Sequence, residues 1–112
     1  GGDSSRESGP HFLGEGDSHF FQTFNLGKKS LALDLRHPRG KEVLHRLVGG
    51  ADALLNNLRG DQPGKLGLTY ADLSDHNPRV VCAHLSGYGR EGARATWPAY
   101  DYLMRPRLGI FP

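Results

Sequence analysis

The residues with the most suggestive chemical spacing are Gly87, Gly89 and Gly92, which read G-x-G-x-x-G directly after the apolar run Val80 to Leu85. In that pattern glycines let the backbone approach a pyrophosphate, so a dinucleotide is the first ligand to weigh. A helix should then open at once, and a further strand ending in an acid should follow about 20 residues on. Ala93 to Pro98 has no helical period, and the stretch reads as a tight loop without nicotinamide. Cys82 and His84 share one face of a strand, the beginning of a metal pair, but a tetrahedral site needs further ligands at matching spacing. A small hydrophobe beside a hydrogen-bonded core histidine is the favoured reading, and no metal is expected. His11, His19, His37, His45 and His76 are dispersed, and no Ser or Cys nucleophile pairs with any of them in sequence. Asp101, shortly after Pro98, has the chemistry of a catalytic carboxylate, but an ordinary helix cap explains it better.

Positioning any of these groups requires regular elements, and the apolar periods supply them. Phe20, Phe21 and Phe24 recur as one face of a short helix. Leu31, Leu33 and Leu35 alternate, which predicts a strand over 30–35. Pro38 suits a first helical turn, and Val43, Leu44, Leu47 and Val48 form an amphipathic stripe that Gly49 and Gly50 end. Ala51 to Asn57 predicts a second strand, and Gly60, Pro63, Gly64 and Gly67 mark turns. Thr69 with Asp72 resembles a capped helix opening, closed by Asn77 and Pro78. Arg79 to Leu85 predicts a third strand, apolar enough to be buried on both faces. The order implies an α/β fold of βαβ units with parallel strands, with ligand contacts at the strands' carboxyl ends. Function is therefore expected near Asp34 to His37, Asn56 to Arg59 and Ser86 to Gly89.

Composition bounds the alternatives. Fourteen Lys+Arg against twelve Asp+Glu in 112 residues leave a net charge of +2, too mild and too scattered for a nucleic-acid footprint. The single cysteine allows no internal disulfide. No apolar run approaches the roughly 20 residues of a membrane span, and no signal peptide opens the chain, so a cytoplasmic protein is expected. Residues 1–17 lack an apolar period and read as loop or tail, leaving 18–112 as the folded domain. The start at Gly1 without an initiating Met, and the end at Pro112 within an apolar stretch, read as cut ends.

Together the segments resemble the CaiB/BaiF family, the family III CoA-transferases. Asn25 to Leu35 follows the family pattern N-x-x-K-x-S-x-x-L-D-L, and Pro38 with Gly40 follows P-x-G. Asn57, Leu58 and Arg59 stand against E-N-F-R-P-G, followed by Leu66 to Leu68 with Tyr70, then Asn77 to Arg79, Ser86 to Gly89, and Tyr100 with Asp101.

This resemblance implies an internal, Rossmann-like βαβαβ fragment of the large domain, lacking the first strand unit. It also implies an enzyme that moves CoA between carboxylic acids through an aspartyl-CoA thioester, working as an interlocked homodimer. A carboxylate nucleophile divides one hard exchange into easier steps. That Asp is expected beyond residue 112, so no catalytic residue is assigned within the chain, and the fragment alone is expected to be inactive. Coenzyme A or acyl-CoA is substrate, not a permanent cofactor, and no nucleic-acid or membrane partner is expected. The implied CoA contacts are Leu33, Asp34, Leu35 and Arg36, then Asn57, Leu58, Arg59 and Lys65, then Pro98, Ala99, Tyr100 and Asp101. An α-methylacyl-CoA racemase segment and a non-catalytic CoA-binding remnant are the alternatives; Tyr100, where racemases tend to carry His, favours the transferase. Three departures stand out. Leu58 replaces Phe, Gly60 with Asp61 replaces Pro-Gly and loosens the turn, and Arg105 with Pro106 replaces Gln-Ala. A proline inside a helix there would kink it at a cost of about 3 kcal/mol.

Overall fold

A computed structural model of the protein describes residues 2–100 together with Pro106 and Gly109. The chain forms two compact units that divide between Ala32 and Leu33.

The first unit is built on local caps. Asp3 accepts the Ser5 N–H at 2.8 Å and opens a 3-10 turn over Ser4–Glu7. Strand β1 (Phe12–Gly14) pairs antiparallel with β2 (Asp17–Ser18) through a turn in which Gly16 takes φ +65°. Fully buried Ser18 then caps helix α1 (His19–Asn25): its Oγ accepts the Phe21 N–H at 3.0 Å and donates to the Ser5 carbonyl at 2.6 Å. The loop or tail expected over 1–17 is thus corrected to a turn and a hairpin. Its order comes from side-chain caps and from Gly16 at the hairpin turn, which leave no hydrophobic period to read. The aromatic helix is present as expected, with Phe20 and Phe24 edge-on at 4.9 Å.

In the second unit, helix α2 (Pro38–Val48) begins where His37 Nδ1 accepts the Arg39 N–H at 3.2 Å, with Pro38 in the first turn. Strand β3 (Ala53–Asn56) follows, then helix α3 (Gln62–Leu66), ended by Gly67 at φ +73°. Helix α4 (Tyr70–Leu73) opens on the predicted pair, the Asp72 carboxylate accepting the Thr69 N–H at 3.0 Å and the Thr69 hydroxyl. Helix α4 stops at Leu73, one turn before Asn77, and strand β4 (Val81–His84) completes the unit. The strands β3 and β4 are parallel, pairing Leu54 with Cys82 and Asn56 with His84, so the α/β class holds. The core is Val48, Leu73 and Val80, with Leu44, Leu54 and Cys82 packed around it.

Two strand expectations are corrected. Residues 30–35 form no strand: no described strand pairs with them to complete a ladder. Instead Asp34 makes a turn, its Oδ1 accepting the Arg36 N–H at 3.0 Å and its carbonyl the His37 N–H at 3.1 Å. Strand β4 is not buried on both faces: Val81 is 61% exposed, as is Leu55 at 69% on the same face of β3, since no described element covers that side. Among the described residues no helix is long and apolar enough to cross a membrane.

Candidate functional site

The segments that leave the carboxyl ends of β3 and β4 face each other across an open cleft of about 420 Å³. One wall is Asn57, Leu58, Arg59 and Gly60 with Gln62; the other is Ser86, Gly87 and Tyr88. The loop from Ala95 through Trp97 to Tyr100 closes the end. Parallel strands require this placement, because both chains exit at the same edge of the sheet.

Gly60 is packed where a side chain would not fit. It is buried, and a Cβ there would lie 2.1 Å from the Gly89 carbonyl oxygen and 2.9 Å from that of Ala95. The looser turn expected at Gly60 is therefore corrected: the glycine permits two loops to touch and fixes the cleft between them. The run Gly87 to Gly92 is a loop, with Gly89 at φ +79° and Gly92 at φ +89° and no helix opening on it.

Charge in the site centres on Asp61. Its carboxylate is forked by Arg59, whose Nη2 lies 3.0 Å from Oδ2, and it accepts from Lys65 Nζ at 2.6 Å. The Arg59 guanidinium, then Lys65, hold the Asp61 carboxyl far below the ordinary carboxylate range, while Asp61 raises the Arg59 value in turn. One carboxylate between two cations leaves a net positive charge beside the cleft, suited to a phosphate-bearing ligand. The remaining wall is apolar and aromatic: Tyr88 and Trp97 meet edge-on at 6.0 Å, and the Arg94 guanidinium lies 5.4 Å from the Trp97 ring.

Of the residues singled out from sequence, Asn57, Leu58, Arg59, Pro98, Ala99 and Tyr100 line this one cleft. Lys65 stands outside the lining and reaches the site through Asp61. Leu33, Asp34, Leu35 and Arg36 lie in the turn before α2 and do not line the cleft; Arg36 pairs with Asp34 at 3.2 Å, both well exposed. The N–H and then the guanidinium of Arg36 lower the Asp34 carboxyl below its ordinary value. Asp101 and Arg105 lie outside the described residues, as do the neighbours on which a kink at Pro106 would be judged. Sequence reasoning missed Trp97 and Gln62 as lining residues; a lone tryptophan beside a proline in a loop was the available signal. Cys82 is half-buried and its thiol is pushed up by burial, and among the described residues no three His, Cys, Asp or Glu side chains converge as a metal site.

With this geometry in place, the comparisons with known proteins are specific. A family model described as CoA-transferase family III matches residues 1–111. The chain is 33% identical to a succinate–glutarate CoA-transferase of Agrobacterium fabrum, covering 98% of this chain and 29% of that protein. It is 36% identical to an acetyl-CoA:oxalate CoA-transferase of Acetobacter aceti, covering 97% of this chain and 28% of that protein. The crystal structure of a CaiB/BaiF family protein from Brucella suis superposes with a TM-score of 0.82 at 34% identity, over 97% of this chain and 30% of that one. The chain thus spans less than a third of the length of these relatives.

Proposed function

Because the chain belongs to CoA-transferase family III, we propose that it supplies part of the wall that holds coenzyme A in an enzyme moving CoA between carboxylic acids. The cleft at the ends of β3 and β4, with Arg59 on one side and aromatic surface on the other, is the observation that carries this reading. Coenzyme A joins a polyanionic nucleotide to an apolar, thiol-ended arm, so it needs both kinds of surface in one groove. Arg59, held in its fork by Asp61, would meet a phosphate with its orientation already set. Tyr88, Trp97 and Pro98 would shelter an apolar part of the ligand.

The exchange itself, in this reading, begins when an aspartate carboxylate attacks the acyl carbon of the donor thioester and CoA leaves as thiolate. The thiolate then attacks the aspartyl carbonyl of the mixed anhydride, releasing the donor acid and leaving aspartyl-CoA for the acceptor acid. None of the described residues is assigned as that aspartate. This chain's part is to bind CoA and keep the thiolate in place between the two steps. Leu33 to Arg36, Lys65 and Asp101 are proposed as further contacts to the same ligand, and the working assembly as a homodimer.

Isothermal titration of CoA tests this directly. Saturable binding is expected, weakened about tenfold or more by Arg59→Ala, as loss of a charged hydrogen bond implies. Arg36→Ala and Lys65→Ala should each weaken it less. A chain that is folded by circular dichroism and takes up no CoA would overturn the proposal. Binding without any acyl exchange by the isolated chain agrees with a nucleophile elsewhere.

A further inference from the structure

The ladder sets Asn56 of β3 directly opposite His84 of β4, both half-buried. Asn56 bonds in two directions: its Oδ1 accepts the backbone N–H of Leu58 at 3.3 Å, and its Nδ2 lies 2.8 Å from His84 Nδ1. Donor chemistry decides the roles. A backbone N–H only donates, so the amide oxygen must face Leu58, and the amide nitrogen, also a donor, must face the ring. His84 Nδ1 therefore accepts, the ring proton sits on Nε2, and the imidazole is uncharged. Charging it would place a second donor against the Asn56 amide. Turning the amide over would satisfy the ring only by presenting an NH2 group to the Leu58 N–H. Either way one link from His84 to Leu58 is lost.

We propose that His84 is a positioning residue: its neutral ring, acting through Asn56, holds the Leu58 amide and with it the Asn57 to Gly60 wall of the cleft. Ligand binding then depends on His84 remaining uncharged. The turn has little slack to absorb a lost link, because Gly60 is wedged against the Gly89 and Ala95 carbonyls. The surroundings favour the neutral state. Among the described residues His84 Nε2 is buried without a partner, and burial first, then the Arg90 charge, push the ring's proton affinity down. The titratable groups around the ring are Arg90 and Glu91, which line a depression with it, and Cys82 two residues before it on β4. The CoA role enters this inference only as the identity of the ligand.

Nuclear magnetic resonance on the full chain tests the link without any ligand. At pH 8 the ring should be protonated on Nε2, and between pH 8 and 5 the Leu58 amide and the Asn56 side-chain amide should shift with the midpoint of the ring itself. His84→Gln, whose side-chain oxygen accepts at every pH, should preserve the Leu58 resonance and abolish that midpoint. CoA affinity supplies the functional readout. Phosphate groups of CoA titrate near about 6, so the contribution of His84 is the difference between the wild type and H84Q. The wild type should lose at least threefold more affinity than H84Q between pH 8 and 5.5. An Nδ1-protonated ring, or Leu58 and Asn56 signals that ignore the ring's titration, would overturn the proposal. A wild type that shows the coupling but takes up no CoA at pH 8 would sink the CoA reading and leave the positioning role standing.

Discussion

At the scale of single residues, one buried amide holds three segments of the second unit together. Asn77 Nδ2 donates to the Val48 carbonyl at 3.0 Å and the Ala51 carbonyl at 2.8 Å, and its Oδ1 accepts the Arg79 N–H at 3.0 Å. It thereby ties the end of α2, the approach to β3 and the approach to β4. Asn77→Asp keeps the shape but turns the donor into a buried acceptor facing two carbonyls. We expect a loss of about 3 kcal/mol, against about 2 kcal/mol for Asn77→Ala, since an unsatisfied buried polar group costs more than an absent one. Urea unfolding checks this, and an Asp variant within about 0.5 kcal/mol of wild type would refute the assignment. In the sequence Asn77 was legible as a stop before Pro78 and as part of a family pattern, not as a tertiary tie. Its bonds reach 26 and 29 residues back along the chain, and no local pattern encodes a tertiary bond of that span. The place of Arg59 at the cleft was legible because it follows a strand. Its fork to Asp61 became apparent only once the turn's geometry was known.

At the scale of elements, α2 shows how packing overrides propensity. Gly40 stands in its first turn, where alanine should favour the helix by about 1 kcal/mol. A Cβ there would lie 2.1 Å from the Asp34 carbonyl oxygen and 2.9 Å from its carbon, both backbone atoms that cannot swing aside. Overpacking of this kind costs about 1–3 kcal/mol, so Gly40→Ala should destabilise the protein despite its better propensity. Thermal unfolding followed by circular dichroism decides the sign, and a rise in Tm would show that the turn before α2 yields freely. The same comparison explains what the sequence could reveal. Helix α2 was legible from its period, and strands β3 and β4 from compact apolar runs, all with clear punctuation. The strand expected over 30–35 has the period but no partner strand among the described residues, and a strand exists only through its ladder. The hairpin in the first unit has partners but no period. Both errors come from using side-chain pattern to infer backbone pairing.

At the scale of the second unit as a whole, one face of the parallel pair serves both the core and the support of the cleft. Leu54 and Cys82 join the core, and two residues on, on the same face, Asn56 pairs with His84 and accepts the Leu58 N–H of the cleft wall. A one-residue slip would break both sets together, so the site is only as secure as the fold. Two imidazoles link that fold to pH. His45 stacks on His76 at 3.8 Å, and its proton affinity is lowered by burial and then by His76, while burial lowers that of His84. Unfolded, both would take up protons near the ordinary value of about 6.5; folded, they do so only at lower pH. Between those points the unfolded chain binds more protons, so stability must fall as pH falls below about 6.5. The lowered carboxyls of Asp61, Asp34 and Asp72 add a separate loss, but only as pH drops below their unfolded range near about 4. The urea midpoint should therefore be lower at pH 5.5 than at pH 8 with the slope unchanged, and the double variant His45→Gln with His84→Gln should flatten that difference. A wild-type midpoint that holds steady or rises on acidification would mean that neither ring is kept neutral by the fold, and would remove the physical basis for a pH-sensitive cleft.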